Sequence, residues 1–571
     1  MTILVFTIVT GSSWALSELF VFAHLNKRVE AFDDFQDWCE HYSELGSEAQ
    51  LTVEKSLHFL YKEKNQKGVF SRVDSAERWE NLDQEEREDF CFEVASQIES
   101  IEKLTLYDRE ISDLSSLRHF KNLRNLHLSD NRIEDISPLS DLKNLEWLNL
   151  SGNQITDISP ISNLGKLRWL RLSDNPITES DHIAYLPETE YLSMVGIPLE
   201  NQHLYIFDRL TRVEQLYLSG THISDLSFLA DKTELWSLGM EDSQVKDVTI
   251  LSDLPDLRLI YLDGNLIEDI SPLMKLSITQ LDVPDNRIKK IPKSISQQSS
   301  IVLMDLSGNE IEDITPLTEL PYLRELDLSN NQIKAIPPNP VPGSGWDQNL
   351  WKLILDNNAL EDLHYLKDAK QLTILNLCNN QITDISFAAQ LDNLVHLSLC
   401  HNNITYVAPL TQASSINEVD LSYNPIDDIS VLSKSKTLWI INLAHTNIEN
   451  INALSSIAQL RKESEHGAAF HELILSHTRV TDIQPLASFE EINYLDLSHN
   501  VISDITPLVN LKIWGLNLSG NRITDLQSLQ RLNIRFTLDL RDNPIILESC
   551  PITHPDPEEA GFECYFDSRQ P

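Results

Sequence analysis

The stretch LRNLHLSDNRIEDISPLSDL, residues 123–142, decides the fold because its apolar residues follow a strand pattern and then a turn pattern. Leu126 and Leu128 alternate with outward-facing positions, which is the period of a β-strand. Asn131 follows the strand, and Asp135 precedes a short helical turn whose free N–H groups its carboxylate can cap. A unit this short cannot bury its own apolar face, so it must stack on further copies.

Copies of this pattern, L-x-x-L-x-L-x-x-N-x-I-x-D-I, recur about twenty times between residues 101 and 547. The step from one copy to the next is 22 residues in thirteen of nineteen cases. Such self-similarity predicts stacked units that share one core and one parallel sheet. The Asn at the ninth position is expected to bond buried backbone groups of the turn, and four copies carry a polar substitute there: Thr221, Ser243, Thr446 and Thr478.

The repeat resembles the leucine-rich repeat family, in the 22-residue class found in bacterial internalins and in the regulatory subunit of protein phosphatase 1. The resemblance covers about four fifths of the chain. It implies an α/β fold, a leucine-rich repeat solenoid shaped as a curved horseshoe, with a parallel sheet on the concave face and an N-terminal helical cap. It also implies that a partner protein binds on the concave sheet.

The chain divides into four predicted parts. Residues 1–30 form an apolar segment, either a cap element or a weak signal peptide, since no Lys or Arg precedes its apolar run. Residues 31–100 form the helical N-terminal cap, residues 101–547 the repeats, and residues 548–571 a C-terminal cap. The missing basic start favours a cytoplasmic location, with a secreted or cell-surface location as the alternative.

Two insertions interrupt the regular spacing, near residues 337–349 and 458–468. Loops of this length on a regular scaffold are more often functional or mobile than part of the core. The sequence does not assign either of them a role.

The charge of the chain restricts its partners. Lys and Arg number 45 against 87 Asp and Glu, a formal net charge of -42 at pH 7. Such acidity repels phosphate backbones and favours a partner protein with a basic segment, so no nucleic acid is expected. No apolar run is long enough to cross a membrane, so no integral membrane contact is expected. We also expect a monomer. Enzyme motifs fail as well, because HELIL at residue 471 lacks the second His of a zinc site, and no cofactor is predicted.

Outward positions of the predicted strands carry the candidate binding residues. The third, fifth and seventh positions of each repeat point away from the core, and exposed aromatic rings there are typical of protein interfaces. We expect the partner to contact six aromatic residues: Tyr107, Trp147, Trp169, Tyr191, Tyr217 and Tyr261. Trp147, Trp169 and Tyr191 are expected to share one column. The alternative is a solvated face whose rings pack on each other.

Acidic residues gather at the outward positions of later repeats. The predicted partner-binding acids are Asp263, Asp282, Asp305, Glu325, Asp327 and Asp356. Asp282, Asp305 and Asp327 should occupy one column on three consecutive strands, where like charges repel. We found no structural reason for that column in the sequence, so it favours attraction of a basic segment.

Cysteines supply a separate set of expectations. Cys378 and Cys400 take equivalent outward positions on adjacent strands, about 4.8 Å apart, which is longer than the Cβ separation a disulfide prefers. Two free thiols are therefore expected, and a metal site with His396 and His401 is the less favoured alternative. Cys550 and Cys564 resemble the paired cysteines that close some bacterial leucine-rich repeat proteins, so a cap disulfide is possible in an oxidising compartment.

Together these patterns predict a non-catalytic scaffold that recognises a partner protein through its concave face, with an aromatic patch as anchor and acidic columns that attract a basic segment. The alternative is a structural or cell-surface scaffold whose acidity serves cation binding or solubility. No metal site is predicted.

Overall fold

The computed structural model describes residues 100–340, 343–462, 469–552 and 562–567, together with residues 50, 55 and 98. The chain splits into two compact units between Leu266 and Ile267. The predicted N-terminal segment and nearly all of the helical cap lie outside the described residues.

Short parallel strands build the first unit. In the described residues they are β1 (Lys103–Thr105), β2 (Asn125–His127), β3 (Trp147–Asn149), β4 (Trp169–Arg171), β5 (Tyr191–Ser193), β6 (Gln215–Tyr217), β7 (Ser237–Gly239) and β8 (Leu259–Tyr261). Each strand pairs in parallel with the next, so that equivalent residues such as Leu104 and Leu126 are partners. The central residue of each strand faces the core and is buried.

The second unit repeats the arrangement. Its described strands are β9 (Gln280–Asp282), β10 (Leu303–Asp305), β11 (Glu325–Asp327), β12 (Lys352–Ile354), β13 (Ile374–Asn376), β14 (His396–Ser398), β15 (Glu418–Asp420), β16 (Ile440–Asn442), β17 (Ala469–Ile474), β18 (Glu491–Asp496), β19 (Lys512–Asn517), β20 (Asn533–Asp539) and β21 (Glu563–Tyr565). They also pair in parallel in chain order. The predicted parallel-sheet solenoid is thus confirmed.

Short 3₁₀ helices of three to seven residues return the chain behind the sheet. In the first unit they are Ser115–His119, Ser137–Asp141, Ser159–Asn163, Ser180–Tyr185, Asn201–Phe207, Ser227–Leu229 and Thr249–Asp253. In the second unit they are Ser271–Lys275, Lys293–Gln297, Thr315–Glu319, Trp346–Gln348, His364–Asp368, Ser386–Gln390, Ala408–Thr411, Ser430–Lys434, Gln484–Ser488 and Thr506–Leu508. Asp135 caps its turn as predicted, since its Oδ1 accepts the Ser137 N–H at 2.7 Å.

Among the described residues of the second unit, two α-helices replace such turns. They are α1 (Asn452–Lys462) and α2 (Leu526–Leu529). Helix α1 covers the beginning of the second predicted insertion, while residues 463–468 lie outside the described residues. In the described part of the chain, no helix combines the length and apolar composition that crossing a bilayer requires.

The buried Asn of each turn ties neighbouring repeats together. Asn131 donates from Nδ2 to the carbonyl of Leu106 in the preceding repeat at 2.8 Å and to Leu128 in its own repeat at 2.9 Å. Its Oδ1 accepts the Ile111 N–H at 3.0 Å. Of the polar substitutes, Thr446 bonds one carbonyl, that of Leu443, at 2.7 Å. The hydroxyl therefore replaces only part of what the amide does.

The described residues of the first insertion, 337–340 and 343–349, include a buried, hydrogen-bonded turn. Asp347 is buried within it and accepts the N–H of Gly343 at 2.8 Å and of Gly345 at 3.1 Å. Trp346 beside it is 4% exposed. The insertion also leaves the register intact, because Leu326 and Leu353 remain strand partners across it.

The C-terminal region adds a strand that the sequence did not predict. Strand β21 pairs with β20, so that Cys564 lies opposite Leu538. It therefore covers the edge of β20, which would otherwise expose unpaired backbone groups.

Candidate functional site

The parallel register places equivalent outward residues side by side on what we call the exposed sheet face. Trp147 on β3 is the partner of Trp169 on β4, and Trp169 is the partner of Tyr191 on β5. We call these three residues the aromatic column. Their shared column follows from the 22-residue spacing, which holds each strand in step with the next.

Rings of the aromatic column divide between two clusters. Trp169 stacks on Tyr191 with ring centroids 4.0 Å apart and planes within 6°, and Tyr191 lies 5.5 Å from the Tyr217 ring. Trp147 instead meets the edge of His127 at 5.6 Å, and His127 stacks on Tyr107 at 5.2 Å. The two tryptophans are thus register neighbours whose rings belong to different clusters.

Sequence reasoning missed His127, which joins Tyr107 to Trp147. The signal was available, because His127 takes the fifth position of its repeat and so points outward beside them. Burial lowers the pKa of His127, while the nearby Asp130 carboxylate acts in the opposite direction. The imidazole therefore favours its neutral form and serves as an aromatic link.

Tyr191 is the most enclosed member of the aromatic column, at 7% exposure. Burial raises the pKa of its hydroxyl, and the neighbouring positive charge of Arg171 opposes that rise. The guanidinium carbon of Arg171 lies 5.1 Å from the centroid of the Tyr191 ring and 6.0 Å from that of Trp169. This arrangement places a cation over two stacked rings.

Tyr261 lies apart from these ring clusters in the fifth-position column. Its strand partner is Gly239, and Gly239 is in turn the partner of Tyr217. A Cβ atom at Gly239 would lie 2.7 Å from the Tyr217 ring, so glycine allows that ring to lean across β7. Asp263 follows Tyr261 at the end of β8, within the first unit.

The second unit carries the acidic column, which we define as Asp282, Asp305 and Asp327. These residues are strand partners on β9, β10 and β11, as the sequence predicted. Asp305 accepts the Ser307 N–H at 2.9 Å, and Asp327 accepts the Ser329 N–H at 2.9 Å. These two carboxylates therefore each satisfy the backbone N–H two residues ahead. The expectation that this column lacks a structural reason was wrong.

Asp282 differs because Pro284, two residues ahead, has no N–H to donate. The amide of Gln280 supplies a bond at 2.7 Å instead. Burial raises the pKa of Asp282 to about 6, the Gln280 bond opposes that rise, and the Asp305 charge adds to it. Burial also raises the pKa of Asp327, against its bonds to Ser329. Asp282 thus combines a carboxyl pKa raised to about 6 with the loss of the backbone bond that Asp305 and Asp327 accept.

The other predicted acids of the second unit have partners within the chain. Glu325 lies 3.4 Å from the Lys352 ammonium, and Asp356 accepts the Cys378 N–H at 2.6 Å. Burial raises the pKa of Asp356, and the bond from Cys378 opposes that rise. Both acids therefore have a role in joining adjacent strands.

A general rule covers the seventh-position N–H groups, which lie just past the end of the strand ladder. In most repeats whose fifth position is Asp or Asn, its side chain accepts that N–H, as Asp420 does from Ser422 at 2.8 Å. Asn376 is an exception, because the Cys378 N–H donates to Asp356 of the preceding repeat. Elsewhere the acceptor can come from the preceding repeat. The Val195 N–H, for example, donates to the Ser173 hydroxyl at 3.2 Å.

The expectation of two free thiols at Cys378 and Cys400 was wrong. The structure joins them by a disulfide, with Cα atoms 4.5 Å apart. The sequence argument equated the Cβ separation with the ideal strand spacing, yet this Cα distance falls inside the range that disulfides accept. Cys550 and Cys564 are also joined, with Cα atoms 6.1 Å apart.

A stack of exposed rings, which the sequence did not predict, runs along the turns of the second unit. His401, Tyr423, His445, His477 and His499 follow one another with ring centroids between 3.8 and 4.2 Å apart. Each residue has a positive φ near 50–55° and occupies the same turn position. Their planes are nearly parallel, which stacks the faces of the rings and leaves the edges to solvent.

One group of side chains among the described residues has the spacing of metal ligands. Ligand atoms of Asp157, Glu179 and His182 lie within 4.8 Å of one another. Asp157, however, accepts the Ser159 N–H at 2.7 Å and the Ser159 hydroxyl at 2.9 Å. Capping of the turn explains its position, so we assign no ion to this group.

Profiles of known families match parts of the repeat region. The profile described as "Leucine rich repeat" matches residues 121–177. That described as "Leucine Rich repeats (2 copies)" matches residues 99–141 and 299–341. A search of curated proteins finds no match.

Solved structures are similar over most of the chain. An internalin (inlF) from Listeria monocytogenes is 28% identical over 61% of this chain and 88% of that chain, with a TM-score of 0.42. The plant peptide hormone receptor RGFR1 in complex with RGF2 is 19% identical over 78% of this chain and 79% of that chain, with a TM-score of 0.54.

A third similar structure is the ectodomain of the plant membrane receptor kinase GASSHO1/SCHENGEN3 from Arabidopsis thaliana, in complex with CASPARIAN STRIP INTEGRITY FACTOR 2. It is 21% identical over 78% of this chain and 56% of that chain, with a TM-score of 0.55. At these identities the two plant receptors show a shared fold.

Proposed function

Because this chain is a leucine-rich repeat protein, we propose that it is a non-catalytic scaffold that binds a partner protein through the exposed sheet face. The aromatic column and Tyr217 anchor the partner in the first unit. The acidic column of the second unit attracts a basic segment. The proposal assigns no cofactor and no catalytic step to the chain.

The aromatic column is the observation that carries this proposal. Trp147 and Trp169 lie on the side of the sheet away from the core, so the repeat does not need large rings there for its own packing. Trp and Tyr on a surface, with an arginine beside them, are the residues that most often dominate protein interfaces. A partner that covers them would remove apolar ring surface from water.

The similar plant receptors lend support of a general kind. RGFR1 is seen in complex with RGF2, and GASSHO1/SCHENGEN3 with CASPARIAN STRIP INTEGRITY FACTOR 2. We propose by analogy that this chain also takes a protein or peptide partner, and that it does so as a monomer. The net charge of -42 favours basic segments in that partner.

Two disulfides among the described residues favour an oxidising compartment for this chain. We therefore propose the secreted or cell-surface alternative over the cytoplasm. Peptide mapping of unreduced protein from its native source tests this. Linked Cys378 and Cys400 peptides would support the proposal, and alkylated free thiols at both residues would contradict it.

A capture experiment tests the proposed function. Wild-type chain and the Trp147→Ala, Trp169→Ala double variant are each used to capture partners from the native organism. Tyr185→Ala is the matched control, because Tyr185 is 56% exposed but lies in the 3₁₀ turn Ser180–Tyr185 rather than on the sheet. A partner held by wild type and the control, but lost with the double variant, supports the proposal. Equal capture by all three would move the interface elsewhere.

A further inference from the structure

A trough of about 550 Å³ lies on the exposed sheet face of the first unit, beside the aromatic column. Arg171, Tyr191 and Tyr217 line it, together with four serines from neighbouring strands: Ser151, Ser173, Ser193 and Ser219. It extends from the end of β3 to the end of β7. Polar hydroxyls beside packed rings give the trough both apolar and hydrogen-bonding surface.

Arg171 is the unusual group in this trough. Its Nε atom is buried and has no hydrogen-bond partner among the described residues. Arg171 takes part in no ion pair between described residues, whereas Arg168 of the same repeat pairs with Glu190. Two other bases on the exposed sheet face are paired: Lys352 lies 3.4 Å from Glu325, and Arg541 forms an ion pair with Asp539.

A guanidinium that pairs with no carboxylate of the described residues is unexpected in a chain with 87 Asp and Glu residues. Arg171 is held over the Tyr191 and Trp169 rings, so its side chain is already ordered and little further entropy is lost when it binds a ligand. A planar guanidinium matches a carboxylate through two parallel hydrogen bonds. The geometry of the trough therefore favours an anionic group of the ligand at this position.

We propose that this trough binds an Asp or Glu side chain of the partner protein, held by the Arg171 guanidinium beside the aromatic column. This inference rests on the proposed function and specifies one residue that the partner must carry. It adds an acidic residue to a partner that was otherwise expected only to be basic.

Other charges in the trough define the surroundings of that acidic residue. Asp174 and Glu241 also line the trough, and the chain as a whole is strongly negative. A run of acidic residues would be repelled, whereas one carboxylate at Arg171 with neutral or basic neighbours is accommodated. The trough crosses several strands, so a peptide segment of the partner can pass along it. This favours binding of an acidic side chain over binding of the partner's C-terminal carboxylate.

Peptide selection provides the test. A random library of twelve-residue peptides is selected on the immobilised full chain, and the enriched peptides are then measured against three variants. Arg171→Gln removes the charge, and Arg171→Lys keeps the charge without the planar fork. Arg168→Gln is the matched control from the same repeat, since Arg168 is paired with Glu190. Thermal unfolding of each variant verifies that the fold is kept.

We expect enriched peptides to contain one Asp or Glu near an aromatic or apolar residue. Arg171→Gln should weaken their binding about tenfold or more, Arg171→Lys should weaken it less, and Arg168→Gln should leave it unchanged. Replacing the acidic residue of the peptide by Asn or Gln should reproduce the loss seen with Arg171→Gln.

Other outcomes separate the inference from the proposed function. Peptides that need Trp147 and Trp169 but bind Arg171→Gln at full strength would overturn the inference and leave the proposed function standing. Peptides whose binding needs Arg171 but is lost on amidation of their C-terminus would overturn the choice of a side chain. Peptides indifferent to all these residues, or no enrichment at all, would count against both.

Discussion

The aromatic column and the acidic column lie on different strands but both occupy outward positions of the repeat pattern, yet the fold uses them differently. In the acidic column, Asp305 and Asp327 accept backbone N–H groups of their own repeats, two residues past the strand ends. In the aromatic column, Trp169 stacks on Tyr191 while Trp147 contacts His127, and the Nε atom of the adjacent Arg171 has no hydrogen-bond partner among the described residues. The difference teaches that a charged residue at an outward position can serve the fold by bonding its own backbone. A residue that binds a partner is better recognised by a side chain that the repeat does not use for its own bonds.

The largest expected effect tests whether the aromatic column is the part left for a partner. Trp147→Ala and Trp169→Ala should each weaken partner binding by about 2 kcal/mol or more, because buried aromatic anchors dominate interfaces. The loss should appear mainly as faster dissociation, measured by surface plasmon resonance. Tyr185→Ala should bind like wild type. Unchanged dissociation in both tryptophan variants would end the distinction between the two columns.

The second effect concerns Asp282, the member of the acidic column without a backbone partner. Burial raises the pKa of Asp282 in the folded state to about 6, above the ordinary carboxyl pKa near 4. The contribution of Asp282 to stability is therefore full below a pH of about 4 and is lost as pH rises through about 6. Asp282→Asn should remove that loss. Relative to the variant, wild type should become less stable by roughly 1 to 2 kcal/mol between pH 4 and pH 7, allowing for solvent screening.

Urea unfolding at the two pH values measures this difference. Asp305→Asn is the control, since Asp305 has the Ser307 N–H that Asp282 lacks. The same pH response in wild type and Asp282→Asn would show that Asp282 behaves like its neighbours.

A third prediction separates the bond of Asp327 from its charge. Asp327→Ala removes the acceptor for the Ser329 N–H and should lower the free energy of unfolding by about 1 kcal/mol. Asp327→Asn keeps an acceptor and should cost little, as Asn517 fills the same role for Ser519 at 3.1 Å. Hydrogen exchange at the Ser329 amide reports the bond directly. Equal losses in the two variants would mean that charge, rather than the bond, stabilises this strand end.

The smallest effect concerns attraction of the partner. Changing Asp282, Asp305 and Asp327 together to Asn should slow association by less than about tenfold and flatten its dependence on salt. Dissociation should change little, in contrast to the tryptophan variants. Association rates measured at several salt concentrations provide the readout. A faster dissociation with an unchanged association rate would place the acidic column inside the interface.

Sequence alone predicted the placement of these columns well, because a fixed spacing between repeats fixes which residues are neighbours. The alignment of Trp147 with Trp169 and of Asp282 with Asp305 follows from that spacing. The ring geometry did not follow, since register places His127 on the same face but does not determine which rings contact one another.

Local hydrogen bonds and cysteine pairing show where the sequence argument stopped. The pattern Asp-Leu-Ser at residues 305–307 contains the signal for a carboxylate bonded to the next turn, but treating each position separately hid it. For Cys378 and Cys400 an ideal strand spacing was applied where the strands approach to 4.5 Å between Cα atoms. Deviations of a few tenths of an ångström in the distance between adjacent strands are set by packing. The spacing of the repeats in the sequence does not encode them.

The source of the acceptor at the seventh position determines which repeats could be exchanged as single modules. A repeat whose own fifth-position side chain accepts this N–H, such as the one containing Asp420 and Ser422, brings its own acceptor and can be transplanted or duplicated alone. The repeat containing Val195 borrows the Ser173 hydroxyl, so it must travel with a suitable predecessor. Duplication and recombination of such a gene, or its redesign, would therefore join some repeats freely and others only in pairs.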